Sequence, residues 1–344
     1  DVIYAATPPG LSGDLMAWHV LALVPEAQAK PVHRVMLDAL TPEVVRAAFM
    51  LPRELDTRRI DAELTRRMIA RLIGIGVSAG LSSASGGRIA LTYGGLLALR
   101  LVQERVRRIA SHQPQSCWTA STQLSVQGVP FTAKVLNAKG APLTLRTETQ
   151  AAHLAHMLNP AVYWVERMIH GAKTHTAPSS LTLDTLIETA SRDLGLSPER
   201  VLSVLATLYE AGWIVHPDAK PLDGTREAAL AYIQREYGQD YADLKSVEAA
   251  GLAPVDVTRL PEDVGGDGAA LYGLTWRHFV AAHMTPAQER IIAARIRVGP
   301  SHDRMYPVEL RATSRTIRFD GWMRVLGDGK PDTTDAWVAL LKDG

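Results

Sequence analysis

LYEAGWIVHPDAK, residues 208–220, is the stretch on which the reading of the whole chain turns. It opens as the end of an amphipathic helix, breaks at Gly212, runs through Trp213-Ile214-Val215 and ends in His216-Pro217-Asp218. An apolar run behind a glycine turn predicts a short buried strand, and Pro217 closes it. Upstream, Ser197-Pro198-Glu199-Arg200 offers an N-cap hydroxyl with proline at the first helical position, so a helix leads into that strand.

Working outward, residues 2–7 read as a buried strand, Pro8-Pro9-Gly10 as a turn and residues 14–23 as a helix. Strand, tight turn and helix at the carboxyl end of a sheet is a common place for a site in α/β folds. A second strand is expected over 32–40, and Thr41 caps a helix over 42–49. Residues 54–77 carry Leu55, Ile60, Leu64, Met68, Ile69 and Leu72 at helical spacing, with arginines between them. The Ser/Ala/Gly-rich 78–90 reads as a connection, and a long helix follows over 91–110. Alternation over 117–145 predicts strands, and 147–170 is expected to be helical. Two helices are read in 180–211, one in 224–237 and one in 271–284, with a loop-rich 238–268 between. Strands are expected over 291–298 and 309–319, with an irregular tail.

The chain has 344 residues, enough for two or three domains, and a composition of 47% hydrophobic and 21% charged residues that is ordinary for a globular protein. Net charge is +1, so any affinity for a polyanion has to come from a local basic groove rather than from the total. The single cysteine, Cys117, excludes an internal disulfide and a multi-cysteine zinc site and fits a reducing compartment. No stretch reaches the roughly 18 uninterrupted apolar residues of a membrane span.

Several stretches resemble, in order, the motifs of type IA DNA topoisomerases. Ala6-Thr7-Pro8-Pro9-Gly10-Leu11-Ser12-Gly13-Asp14 with Ala17-Trp18-His19 is similar to that family's ATDxDREGExxAWH. RVMLDALT at 34–41 resembles RVxFNEIT, residues 52–74 resemble its arginine-rich helix, and ALRLVQER at 98–105 nearly repeats the end of its SAGRVQSxALRLIVER segment. Residues 182–212, 271–287 and 311–322 resemble TTSTLQQEASRKLG … LYEGG, LYxLIWxRFVASQMxPA and FRASGxxLKFDGW. The resemblance implies a mixed α/β multidomain fold: a type IA topoisomerase-like toroid with a partial Toprim α/β domain, helical domains and a β-rich arch. By the same resemblance the Toprim-like part spans 1–82, its first strand preceding residue 1. A helical domain spans 83–115 and 326–344, the arch 116–175 and 286–325, and a helical domain holding the nucleophile position 176–285.

The residues that carry the family's chemistry depart from its pattern. Its strand ends in ITYMRTDS, whose tyrosine forms a reversible link to the DNA phosphate. Here His216 stands at the tyrosine position and Asp218 at that of the phosphate-clamping arginine. A carboxylate there repels the group an arginine would hold. Pro8, Gly10 and Ser12 stand where the family places acidic metal ligands, and Asp14 alone keeps an acid. A hard divalent cation normally needs two or more carboxylates. The segment resembling AHEAIRPTDV reads Glu248-Ala249-Ala250-Gly251-Leu252-Ala253, so its histidine, glutamate and arginine are alanines. In an ungapped alignment Tyr93 replaces the arginine of SAGRVQ, whereas a five-residue shift puts Arg88 there.

Thr182, Thr185, Ser191, Arg192 and Ser197 fall at or near positions where the family contacts DNA phosphates, and Arg88 and Arg100, in the segment resembling SAGRVQSxALRLIVER, are expected to contact nucleic acid with them. Ordinary helix capping and solvated arginines account for the same residues. The expectation is a catalytically inactive type IA topoisomerase-like protein, a DNA-binding or structural subunit of a larger assembly. The alternatives are an active topoisomerase with a relocated nucleophile or complementing segment, and a scaffold with no nucleic-acid binding. No cofactor is expected, with magnesium implied only by the enzyme reading. The expected partners are DNA, single-stranded included, and proteins of a larger complex, with no membrane. The expected location is cytoplasmic or nucleoid-associated, an organelle or virion remaining open.

Overall fold

The computed structural model describes residues 2–24, 30–89, 92–246, 251–327 and 335–342. The chain divides into two units, one of Asp1–Gln113, Ser179–Tyr232 and Ser246–Val280, the other of Pro114–Pro178, Ile233–Lys245 and Ala281–Gly344.

The first unit begins with β1 (Ile3–Thr7), which feeds α1 (Leu11–Leu23) and pairs in parallel with β2 (Val32–Met36). Parallel neighbours need a crossover, and α1 supplies it. Its helix starts at Leu11 rather than Asp14, directly behind Gly10 at φ +92. Thr41 caps α2 (Pro42–Met50), its hydroxyl accepting from the Val44 N–H.

The next helix, α3 (Thr57–Ser85), corrects the reading of 78–90 as a connection. Asp56 accepts from the Arg58 and Arg59 N–H groups at its start, and Gly86, left-handed at φ +69, ends it. Between those caps alanine and serine carry the helix through the glycines, because only proline breaks a helix outright. By length and composition α3 also passes for a membrane span, which the search for an uninterrupted apolar run did not anticipate. Then come α4 (Tyr93–Ser111), α6 (Leu183–Asp193) and α7 (Pro198–Glu210). The buried core of this unit includes Leu15, Val35, Leu186, Val201, Ile214 and Tyr272. Residues 213–215 form an isolated antiparallel bridge, Ile214 to Pro254, rather than a full strand.

The second unit is built on a five-stranded antiparallel sheet in the order β3-β4-β7-β6-β5. Its strands are β3 (Ser121–Val126), β4 (Val129–Asn137), β5 (Val162–His175), β6 (Ala287–Gly299) and β7 (Val308–Phe319). The helix expected over 147–170 is in fact α5 (Glu148–Leu158) followed by β5. Pro160 has no N–H to extend the helix, and Val162-Tyr163-Trp164-Val165 prefers the pleated surface against β6. One face of the sheet is apolar: Ala133, Val135, Ala294, Ile296, Leu310 and Ala312 pack with Leu154 and Leu158 of α5. The tail is not wholly irregular, since α10 (Met323–Leu326) and α11 (Trp337–Leu340) fall within it. Trp337 stacks on Phe131 at 5.3 Å between ring centroids, which draws α11 into the sheet's core. The remaining helices, α8 (Thr225–Glu236) and α9 (Gly266–Ala282), match the sequence reading in kind.

Candidate functional site

The turn after β1 is held by a buried arginine. Gly13 is obligatory there, because a Cβ would stand 1.8 Å from the Pro8 carbonyl oxygen. Arg34, reaching back from β2, donates to the carbonyls of Thr7 at 2.8 Å, Pro8 at 2.6 Å and Ala5 at 3.3 Å, and to Val35. Its Nε meets Asp14 Oδ1 at 3.1 Å, and Arg59 Nε from α3 takes Asp14 Oδ2 at 2.7 Å. Burial lowers the Arg34 pKa, and the hydrogen bond to Asp14 opposes that.

Tested against a divalent cation, this donor set does not fit. Pro8, Gly10 and Ser12 on this turn offer no carboxylate. Both oxygens of Asp14 are already engaged by guanidinium groups, and among the described residues no three His, Cys, Asp or Glu gather in a metal-holding group.

The stretch 208–218 lies close to this turn. Gly212, at φ +69, lets α7 end against the Leu40 carbonyl, which would be 3.2 Å from a Cβ at that place. The chain then runs along 253–255: the Val215 N–H donates to Ala253 O at 3.0 Å and the Val255 N–H to Trp213 O at 3.0 Å. Arg259 covers the Trp213 ring at 3.5 Å and donates to Gly212 O at 3.0 Å. The His216 N–H bonds Asp38 O at 2.8 Å, and the Asp218 N–H donates to His216 Nδ1 at 3.1 Å. Asp218 then leans on the first turn, where a Cβ on Gly10 would fall 2.6 Å from its Oδ2.

This geometry works against a nucleophilic histidine. A ring nitrogen that accepts an N–H is unprotonated, so the neutral ring carries its proton on Nε2. Attack through Nε2 would require that proton on Nδ1 and the loss of the Asp218 bond. Burial lowers the His216 pKa, while Asp218 and Asp38 raise it. Tyr209 is no better placed. Its hydroxyl donates to Leu37 O at 2.6 Å, its ring meets His216 edge-on at 5.0 Å, and burial with the Asp38 charge pushes its pKa up. A phenol serves as a nucleophile when its pKa is lowered.

The other predicted residues fall into two further groups. Thr182 and Thr185 form the capping box of α6, and Ser197 caps α7 by accepting from the Arg200 N–H at 3.3 Å. Arg192 is exposed and paired with Asp193 at 2.8 Å and Glu188 at 3.9 Å, whereas Ser191 Oγ is buried with no hydrogen-bond partner among the described residues. Arg88 and Tyr93 share a cavity of about 650 Å³ walled by α3 and α4, and Arg100 pairs with Glu104 at 3.3 Å on the open face of α4. Glu248, Ala249 and Ala250 lie outside the described residues. Sequence reasoning passed over Asp38 and Arg259. Asp38 was visible as the lone acid of RVMLDALT, but nothing in the sequence around Arg259 announces its stacking.

Three comparisons bear on this arrangement. The model of a protein family described as DNA topoisomerase matches residues 54–344. The DNA topoisomerase 1 of Pasteurella multocida is 31% identical over 348 residues, covering 95% of this chain and 39% of that protein. The DNA topoisomerase 1 of Pseudomonas aeruginosa is 29% identical over 367 residues, 100% of this chain and 41% of its own length. The solved structure of full-length topoisomerase I from Thermotoga maritima superposes with a TM-score of 0.76 at 22% identity, over 95% of this chain and 55% of that one. The chain therefore spans about two-fifths of the curated relatives it matches.

Proposed function

The chain belongs to the DNA topoisomerase family, with the type IA fold, and from that premise we propose that it is a catalytically inactive member acting as a DNA-binding or structural subunit of a larger assembly. One observation carries the proposal. His216, which the motif resemblance sets at the place of the attacking tyrosine, accepts the Asp218 N–H on its Nδ1, and the Asp218 carboxylate is set against the Gly10 turn. A transesterification needs an oxygen nucleophile and positive charge around the transferred phosphoryl group, and this loop presents an imidazole and a carboxylate instead. No cofactor belongs to the proposal, because Asp14 is engaged by Arg34 and Arg59.

The partner proposed is DNA, single-stranded segments included, and we carry the four-domain division drawn from the family with it. A cytoplasmic or nucleoid-associated location is part of the same reading and accords with the exposed free Cys117. No membrane role is proposed for α3, since Arg71 near its middle would cost about 3 kcal/mol at a bilayer centre.

Relaxation of negatively supercoiled plasmid with magnesium tests the inactive reading. No relaxation and no denaturant-resistant protein–DNA adduct are expected; either one establishes an active enzyme with a nucleophile elsewhere. Retention of a labelled single-stranded oligonucleotide separates a DNA-binding subunit from a scaffold. Binding that weakens with rising salt is expected, and no retention at low salt would leave the scaffold.

A further inference from the structure

The sheet of the second unit has a free edge. β3 pairs with β4 on one side, and the order β3-β4-β7-β6-β5 leaves its other side without a strand. The register says which backbone groups face out. Val126 lies opposite Val129 across the two-residue turn Gln127-Gly128, with φ of +49 and +82, the left-handed pair of a tight hairpin. Bonded and non-bonded pairs alternate from there, and the Val135 N–H to Ala120 O bond of 3.0 Å continues the series. Ala120, Thr122, Leu124 and Val126 thus turn their backbone groups towards β4, and Ser121, Gln123 and Ser125 turn theirs outward. Those three are exposed, and among the described residues no backbone bond satisfies their outward groups. Ser-Thr-Gln-Leu-Ser-Val also contains no charge and no proline, the usual protections of an edge.

A cavity of about 590 Å³ runs along this edge, between Thr122 and Leu124 on one side and Ala155 and His156 of α5, its C-cap Asn159 and Tyr163 on the other. Tyr163 belongs to β5, the far end of the sheet order, yet it lines the same cavity as Thr122, and its hydroxyl donates to Leu158 O at 2.6 Å. The two edges of the sheet therefore face each other across a slot, with α5 as its wall.

We propose that this slot binds an extended peptide segment of a partner protein, added as a sixth strand on β3. Main-chain bonds to Ser121, Gln123 and Ser125 supply the affinity, and alternate side chains of the peptide settle over Leu124 and Leu158. The lining contains no Lys or Arg, which disfavours a nucleic-acid phosphate as the occupant. A second copy of this chain would have to bring its own β4 and α5 into a space walled on both sides.

Amide hydrogen exchange of the full chain tests the proposal with two probes, a Thr-Val-Thr-Val-Thr-Val hexapeptide and a synthetic copy of Val129–Asn137. At ten times Kd, exchange at Gln123 and its outward neighbours is expected to slow by about tenfold, with Thr122 and Leu124 unchanged. Peptides N-methylated on alternate residues should give no slowing. Gln123→Pro removes an outward N–H without touching the β4 ladder and should abolish binding, as should Gln123→Lys if the proline variant folds poorly. The proposal is overturned if neither peptide protects these amides, or if both variants bind like the parent. It is equally overturned if the chain dimerises through β3, read as a doubled mass in sedimentation that Gln123→Pro abolishes.

Discussion

Asp14 and His216 are each fixed by bonds to neighbours that lie far away in sequence. Among the described residues the Asp14 carboxylate is the sole anion bonded to the buried guanidinium of Arg34, so its removal leaves a charge in a low-dielectric interior. Asp14→Ala is expected to cost about 3–5 kcal/mol in urea unfolding. A loss under 1 kcal/mol, roughly the value of an exposed pair, would show that water reaches Arg34. His216 gives a pH signature. Burial lowers its pKa below the ordinary 6.5, so the unfolded chain binds the proton more tightly and stability falls as pH drops below that value. Asp218 and Asp38, on either side of the ring, pull in the opposite direction and limit the effect. His216→Gln should flatten the fall of Tm between about pH 7 and 5. Equal slopes in variant and parent would mean that the ring is solvated.

At the scale of the element, α3 is the most instructive case. Residues 78–85 looked like a connection because serine and glycine crowd there, yet the caps at Asp56 and Gly86 enclose them in one helix of 29 residues. Composition predicts propensity, and propensity yields to a continuous hydrogen-bond ladder already nucleated upstream. Gly76 and Gly80 have nothing within 4 Å of where a Cβ would sit. Gly76→Ala and Gly80→Ala should therefore each stabilise by about 0.5–1 kcal/mol, measured as a rise in Tm. Destabilisation would show that the open side of α3 is covered in solution. Misreading β5 as helix had the opposite cause: β-branched and aromatic residues follow a good helix, and only pairing with β6 decides their conformation.

For the whole molecule, the prediction concerns cations. A magnesium site filled to a hundred times its Kd would add about 2.7 kcal/mol of stability. EDTA, or magnesium added after it, should leave Tm unchanged, because the acid positions offer no free carboxylate pair. A concentration-dependent rise in Tm would place a metal site on the chain.

The order of motifs along the sequence determined the fold family, since apolar spacing, caps and turn glycines repeat across more than 300 residues and are local properties of the chain. It also supplied the expectation that His216, Asp218, Pro8, Gly10 and Ser12 stand where the family keeps its tyrosine, arginine and acids, because a residue's identity is legible one position at a time. What the tertiary structure alone decided was how the remaining groups use their bonds. Asp14 is engaged by two arginines, from β2 and α3, 20 and 45 residues away in sequence. Tyr209 spends its hydroxyl on Leu37, 172 residues back, and the free edge of β3 shares a cavity with Tyr163 from the far side of its own sheet. Hydrogen-bond commitment and burial are properties of neighbours in space, and a single sequence records only neighbours along the chain.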